Sequence, residues 1–208
     1  MSLTNAFLSL VVGYILGAIP FAVIIARAKG VDILKYGSGN PGATNVKRAC
    51  GTFAGRLCFI LDALKGFIAS YWMFALSFFG YTLAEPTELN YMAFLGLFGA
   101  LLGHSFSVFL KFKGGKGVSV IIGGLFSLLI YPILISLIVW LVVFFASKMV
   151  SLASILMSVS VAVSALIING ANSIQFIFAL IVCIFITYRH RSNIVRICNG
   201  TEHKFTKK

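Results

Sequence analysis

Long, unbroken apolar runs alternate along this chain with short polar stretches rich in glycine and basic residues. The runs cover Asn5–Ala26, Leu57–Phe79, Tyr91–Leu110, Val118–Ala146, Ser151–Ile168 and Ser173–Tyr188. Most have the length of one bilayer crossing, about 20 residues. They are continuous rather than alternating, which predicts spanning helices and argues against a β-barrel. Pro20 predicts a kink near the inner end of the first run. Val118–Ala146 is too long for one comfortable span and is interrupted at Tyr131-Pro132, so it reads as one tilted helix or as a hairpin of two short ones. A turn is expected at Asn169-Gly170-Ala171-Asn172. No internal repeat and no low-complexity segment stands out.

Composition agrees with the pattern. The chain has 208 residues, 60% of them hydrophobic, and a mean hydropathy of +1.02. A soluble domain has about 45–50% apolar residues. The fold class expected is an all-α polytopic membrane protein, one integral-membrane domain over 1–208. No stretch is polar enough to make a separate soluble domain.

Charge orients the bundle. Seventeen Lys and Arg face five Asp and Glu, a net charge of +12. In a soluble protein that excess would suggest nucleic acid. Here the positive-inside rule accounts for much of it, and no nucleic-acid partner is expected. Gly80–Asn90 holds Glu85 and Glu88 but no cation, and fits an outside loop. The 111–117 stretch and the basic tail from Arg189 to Lys208 fit the inside. The hairpin option for Val118–Ala146 then gives about seven spans, with the N-terminus outside and the C-terminus cytoplasmic. Five is the lower count, with short segments reckoned differently. Met1-Ser2-Leu3-Thr4 lacks a basic n-region and the first cation is Arg27, so the first run reads as a retained helix. Cys50, Cys58, Cys183 and Cys198 have neither CxxC nor Cys/His ligand spacing, so neither a metal site nor a disulfide framework is expected.

Three polar segments fall on the inner side of that topology: 37–48, 111–117 and 189–203. The first is Gly37-Ser38-Gly39-Asn40-Pro41-Gly42-Ala43-Thr44-Asn45-Val46-Lys47-Arg48. Its glycines permit positive φ and close backbone approach, its polar side chains donate and accept, and Arg48 offers a bidentate fork. That set suits a phosphate or another oxyanion; an ordinary topogenic loop is the plain alternative. Lys111-Phe112-Lys113-Gly114-Gly115-Lys116-Gly117 makes a second anion cradle. Inside the second span Asp62 and Lys65 share a helical face, either simply pairing or orienting the polar loop. His104 sits near the inner end of the third span.

Several chemistries find no support. Gly-Gly-Lys-Gly lacks the Ser/Thr and upstream spacing of a Walker A loop. No His is followed five residues on by Asp, and no Gly-x-Ser-x-Gly elbow appears. The inner-side acids are few, namely Asp32, Asp62 and Glu202, so no strong protein-borne base is evident. A carrier would place more polar groups at the midplane. The collection of polar groups at one interface favours an enzyme or binder that meets a soluble anion from the cytosol and an apolar partner from the bilayer.

The motifs resemble the bacterial acyl-phosphate:glycerol-3-phosphate acyltransferases. The resemblance rests on Gly37 through Val46 with Arg48 and Asp62-Ala63-Leu64-Lys65-Gly66. It continues with Gly103-His104-Ser105-Phe106-Ser107-Val108-Phe109 leading into Phe112-Lys113-Gly114-Gly115-Lys116-Gly117. It ends with Ser151-Leu152-Ala153, Arg189-His190-Arg191-Ser192-Asn193-Ile194, Arg196 and Gly200-Thr201-Glu202. These lie in the family's order over nearly the whole chain. Ser107 departs from the pattern, where the family usually has proline, and is expected to loosen the end of that helix.

The resemblance implies transfer of a fatty acyl group from a long-chain acyl phosphate to the 1-hydroxyl of glycerol 3-phosphate. Lysophosphatidic acid and phosphate would be the products, in phospholipid biosynthesis, at a bacterial plasma membrane with the active site facing the cytoplasm. It implies a glycerol 3-phosphate cradle of Arg48, Lys116, Ser151, His190 and Asn193. It implies an acyl-phosphate site of Ser38, Gly39, Asn40, Gly42, Thr44, Asn45, Gly114 and Gly115. His190, Asn193 and Ser38 would be the catalytic residues, and His104, Lys113, Asp62, Lys65 and Glu202 are weaker candidates. No cofactor is implied. Whether an upstream acyl-phosphate-forming acyltransferase docks on the chain stays open. The mixed anhydride has a good leaving group, so a substrate phosphate can serve as proton acceptor, with His190 the competing base. A non-enzymatic anion or phospholipid transporter with the same basic vestibule is the other class.

Overall fold

The first apolar run folds as two helices, α1 (Leu3–Ala18) and α2 (Phe21–Arg27), broken at Ile19-Pro20 as Pro20 predicted. The computed structural model describes residues 3–80 and 85–205, and among these it is all helical. The start at Met1-Ser2, part of the expected outside loop (81–84) and the last residues of the tail (206–208) lie outside the described residues. The remaining helices are α3 (Ala43–Cys50), α4 (Thr52–Phe78), α5 (Pro86–Ser105), α6 (Val118–Leu128), α7 (Ile130–Ser147), α8 (Val150–Asn169), α9 (Ile174–Arg189) and α10 (Arg191–Cys198). A single 3-10 turn occupies Val108–Leu110.

Two expectations shift. The polar segment before the second span is not loop throughout: α3 occupies its second half, and α4 begins at Thr52 rather than Leu57. Gly51, at φ 91°, separates the two helices. The long run 118–146 breaks at Leu129 (φ −139°, ψ 59°), not at Tyr131-Pro132. Pro132 is the third residue of α7, where its missing N–H has no helical carbonyl to lose. The pieces are therefore unequal, 11 residues in α6 and 18 in α7. At 1.5 Å per residue α6 is about 17 Å long, short of a bilayer core of about 30 Å.

By length and composition five helical stretches among the described residues can cross a membrane: Leu3–Arg27, Thr52–Phe78, Glu88–Leu110, Ile130–Ser147 and Val150–Asn169. The number becomes six if α9 and α10, bent by 61° to each other, form one broken span. The chain is a multi-pass membrane protein.

The chain forms two compact units, the first ending at Leu128 and the second starting at Leu129. In the first, α1 packs on α5 and α4 on α6. Without water between helices, close packing and small residues replace the hydrophobic effect as the adhesive. A Cβ at Gly13 would overlap the backbone of Gly96, and one at Gly123 the backbone of Ala63. Ser9 Oγ donates to Met92 O at 2.6 Å across the α1–α5 seam. Ala22, Val23, Ala26, Ile33, Val46, Ala54 and Cys58 form a small core that seats α2, α3 and the intervening loop on α4. In the second unit α8 packs between α7 and α9. Its tail folds back, with Phe205 N donating to Lys148 O at 2.8 Å.

Candidate active site

In the first unit the glycine-rich segment is wound around one buried amide. Asn45, 2% exposed, donates through Nδ2 to Tyr36 O at 2.9 Å and Ile33 O at 3.3 Å. Its Oδ1 accepts from Ser38 N at 3.4 Å. Gly37 has φ 56°, a left-handed value, and a Cβ there would lie 2.7 Å from Asn45 Oδ1. Asn45 thus holds the turn, and Gly37 is needed both for conformation and for space. Asn40 N sits 3.4 Å from Ser38 Oγ, and Gly42 N donates to Asn40 O at 2.9 Å.

The turn delivers the chain into α3 at Gly42, the N-cap, with no side chain capping the helix. The first N–H groups of a helix have no intrahelical acceptor, and they carry the positive end of its dipole. Asn45 N and Val46 N bond Gly42 O. Ala43 and Thr44 begin the helix, and Ser38 in the preceding turn is exposed. Arg48 lies one turn on, half-buried. The set can bind an oxyanion.

The second glycine-rich segment follows α5. Lys111 and Phe112 both take left-handed φ, 53° and 60°, which folds the backbone onto the helix end so that Gly115 N donates to His104 O at 3.1 Å. Gly115 is buried and Lys116 half-buried, while Lys113 is exposed. Ser107, at the position where a proline was expected, is 2% exposed and donates to Ala18 O at 2.6 Å. It ties the α5 end to the end of α1 rather than loosening it.

Both segments come to one place. Pro41 and Gly115 line a cavity of about 10 Å³, together with Ile19, Pro20, Asp62, Lys65 and His104. Asp62 and Lys65 do pair, Oδ1 to Nζ at 2.8 Å, with the side chains 2% and 4% exposed. His104 Nδ1 is 3.7 Å from the same Oδ1.

The second unit collects the remaining candidates around one carboxylate. Glu202 accepts from Ser151 Oγ at 2.9 Å and Asn193 Nδ2 at 2.8 Å on Oε1. Its Oε2 accepts from Arg196 Nε at 2.8 Å. Burial alone would raise its pKa. The hydrogen bonds from Asn193, Ser151 and Arg196, with the Arg196 charge, outweigh that and hold the carboxyl below the usual value. Glu202, one of the weaker candidates, is a hub joining α8, α10 and the tail. His190, 3% exposed, stands at the α9–α10 bend with Nδ1 2.8 Å from Ile186 O. A carbonyl only accepts, so Nδ1 carries the proton in this contact.

The chain is similar to proteins of one family. Residues 7–200 match the family model described as glycerol-3-phosphate acyltransferase. The glycerol-3-phosphate acyltransferase of Aquifex aeolicus is 40% identical over 97% of this chain and 100% of its own. That of Fusobacterium nucleatum is 40% identical over 96% and 97%. Two crystal structures of PlsY, an integral membrane glycerol 3-phosphate acyltransferase, superpose at 38% identity. The glycerol 3-phosphate form has TM-score 0.84 and covers 97% of this chain and 96% of that one. The lysophosphatidic acid form has TM-score 0.82, with 97% and 95% covered.

Proposed function

The chain belongs to the glycerol-3-phosphate acyltransferase family, and from that premise we propose that it acylates the 1-hydroxyl of glycerol 3-phosphate with a fatty acyl group taken from acyl phosphate. Lysophosphatidic acid and inorganic phosphate are the products, and the step belongs to phospholipid synthesis. The observation that carries the reading is the meeting of the two glycine-rich turns, through Pro41 and Gly115, beside an uncapped helix N-terminus and basic side chains. The glycerol 3-phosphate and lysophosphatidic acid forms of PlsY fit the acceptor and product.

The roles follow from the chemistry. In the first unit Arg48 and Lys116 bind the phosphate of glycerol 3-phosphate. The side chains of Ser38, Asn40 and Thr44, the backbone N–H groups at the start of α3 and the glycine turns around Gly39, Gly42, Gly114 and Gly115 hold the acyl phosphate and its developing oxyanion. Asn45 acts by shaping that turn. In the second unit Ser151, His190 and Asn193 serve the acceptor alcohol. The hydroxyl oxygen forms a bond to the acyl carbon, and the bond from that carbon to the phosphate oxygen breaks. Phosphate leaves with the electron pair. The hydroxyl proton passes to a phosphate oxygen, so no protein base is required. The site faces the cytoplasm of a bacterial plasma membrane, where glycerol 3-phosphate is soluble.

The test is a donor comparison on protein in bilayers without added metal. Glycerol 3-phosphate is supplied with palmitoyl phosphate or with palmitoyl-CoA. Turnover with the phosphate donor alone is expected. Turnover with CoA alone overturns the donor, and binding of glycerol 3-phosphate without turnover from either favours the transporter reading.

A further inference from the structure

Two opposite charges buried in a membrane span need a reason. Asp62 and Lys65 are almost wholly enclosed in α4, and taking both from water is seldom repaid in stability, so such residues more often mark function. If their task were only mutual neutralisation, the three-residue spacing would suffice. Each instead reaches a different segment of the site.

Lys65 Nζ also donates to Ile19 O at 2.9 Å, at the break where Pro20 interrupts helical bonding, and lies over the Phe21 ring at 5.7 Å. Asp62 Oδ2 faces Cys58 Sγ at 3.7 Å, and Oδ1 faces His104. His104 in turn carries the second turn. Its carbonyl accepts from Gly115 N, and a Cβ at Gly115 would overlap the imidazole itself. Gly115 therefore rests on the ring, and the next residue is Lys116.

We propose that Asp62, Lys65 and His104 are positioning residues, a buried polar strut that sets the Pro20 break and the Gly114–Gly117 turn so that Lys116 meets the phosphate of glycerol 3-phosphate. The proposal rests on the acyltransferase reading of that turn. It assigns these three side chains no contact with substrate; they act through the backbone of Gly115. Removing both charges together avoids stranding one of them.

The test uses the full-length protein in bilayers. Asp62→Asn/Lys65→Met, His104→Ala and His104→Gln are compared with wild type by glycerol 3-phosphate binding and by both KM values. A loss of folded protein lowers kcat but leaves KM alone. A misplaced Lys116 raises Kd and KM for glycerol 3-phosphate by on the order of tenfold, as expected for a weakened hydrogen bond to a charged group. The KM for acyl phosphate should rise as well, because the same turn carries Gly114 and Gly115 of the acyl-phosphate site, and His104→Gln should recover part of both losses. Gly115→Ala should show the same signature alone and less than additive harm in His104→Ala, where the new methyl finds the vacated space. Unchanged glycerol 3-phosphate Kd and KM in the Asp62/Lys65 and His104 variants overturn the strut, as does a rise confined to acyl phosphate. Wild type that binds glycerol 3-phosphate without turning over overturns the acyltransferase reading alone, and the binding comparison still decides the strut.

Discussion

Replacing Glu202 should loosen the second unit by an amount that can be worked from its three bonds. Ser151 and Asn193 are 6% and 5% exposed, so in Glu202→Ala each is left as a buried donor without its acceptor, at about 1–2 kcal/mol apiece. The Arg196 side chain is 34% exposed and rehydrates, so its lost pairing adds only about 0.5–1 kcal/mol. The total, about 3 kcal/mol, corresponds to a fall in Tm of about 6–12 °C for a chain of this size. Glu202→Gln keeps an acceptor oxygen for Ser151 and Asn193 and loses mainly the charge, so it should cost about half as much. The pH dependence supplies an independent check. The folded carboxyl titrates below its unfolded value, so its contribution is fully present above the unfolded pKa. It is lost as pH falls through the folded one. The stability gap between wild type and Glu202→Gln should be constant near neutrality, begin to narrow as pH falls to about 4, and vanish only below the folded carboxyl's lower value. Thermal unfolding in detergent from pH 7 to pH 3 reads both effects. A Glu202→Ala Tm within about 1 °C of wild type, or a gap that does not narrow in acid, would refute the hub.

Gly96→Ala would drive a Cβ into Ala69 O of α4 and against Ser9 Oγ; overpacking costs about 1–3 kcal/mol, so Tm should fall measurably, and an unchanged Tm would contradict the close α4–α5 packing. Ser107→Pro suits the Ser107 backbone, φ −64° and ψ 125°, but forfeits the bond to Ala18 O and conflicts with Phe106 at ψ 55°. It should cost about 1 kcal/mol with acyl transfer retained, and a rise in Tm would count against the latch. His190→Gln should keep turnover within about tenfold if a substrate phosphate takes the proton. A loss beyond about a hundredfold, with both substrates bound as before, would give that task to His190.

What the sequence disclosed and what it hid have a common cause, the range of the contacts involved. Pro20 announces its break because proline's effect on the helix is local, and the Asn169–Asn172 turn and the Asp62–Lys65 pair are equally local. α3 is harder to see, since only eight residues separate Gly42 from Gly51, and its apolar side is completed by Val46 packing against Ile33 and Ala54 from neighbouring segments. The break at Leu129 carries no glycine or proline of its own, and nearby Pro132 drew it two residues too far along. Ser107 could be judged only by its partner Ala18, 89 positions away. Glu202 looked like a tail acid because Ser151, 51 positions earlier, is brought to it by folding. The candidate residues themselves were legible as types; the bonds among them were not.

The most direct test of the central claim follows phosphate and lysophosphatidic acid together. Protein in bilayers is given palmitoyl phosphate and glycerol 3-phosphate, with Arg48→Ala alongside. Direct transfer predicts the two products in equal amounts, with no need for CoA, and a steep loss of both in the variant at limiting glycerol 3-phosphate. Phosphate released without lysophosphatidic acid, or equal activity in Arg48→Ala, would contradict it.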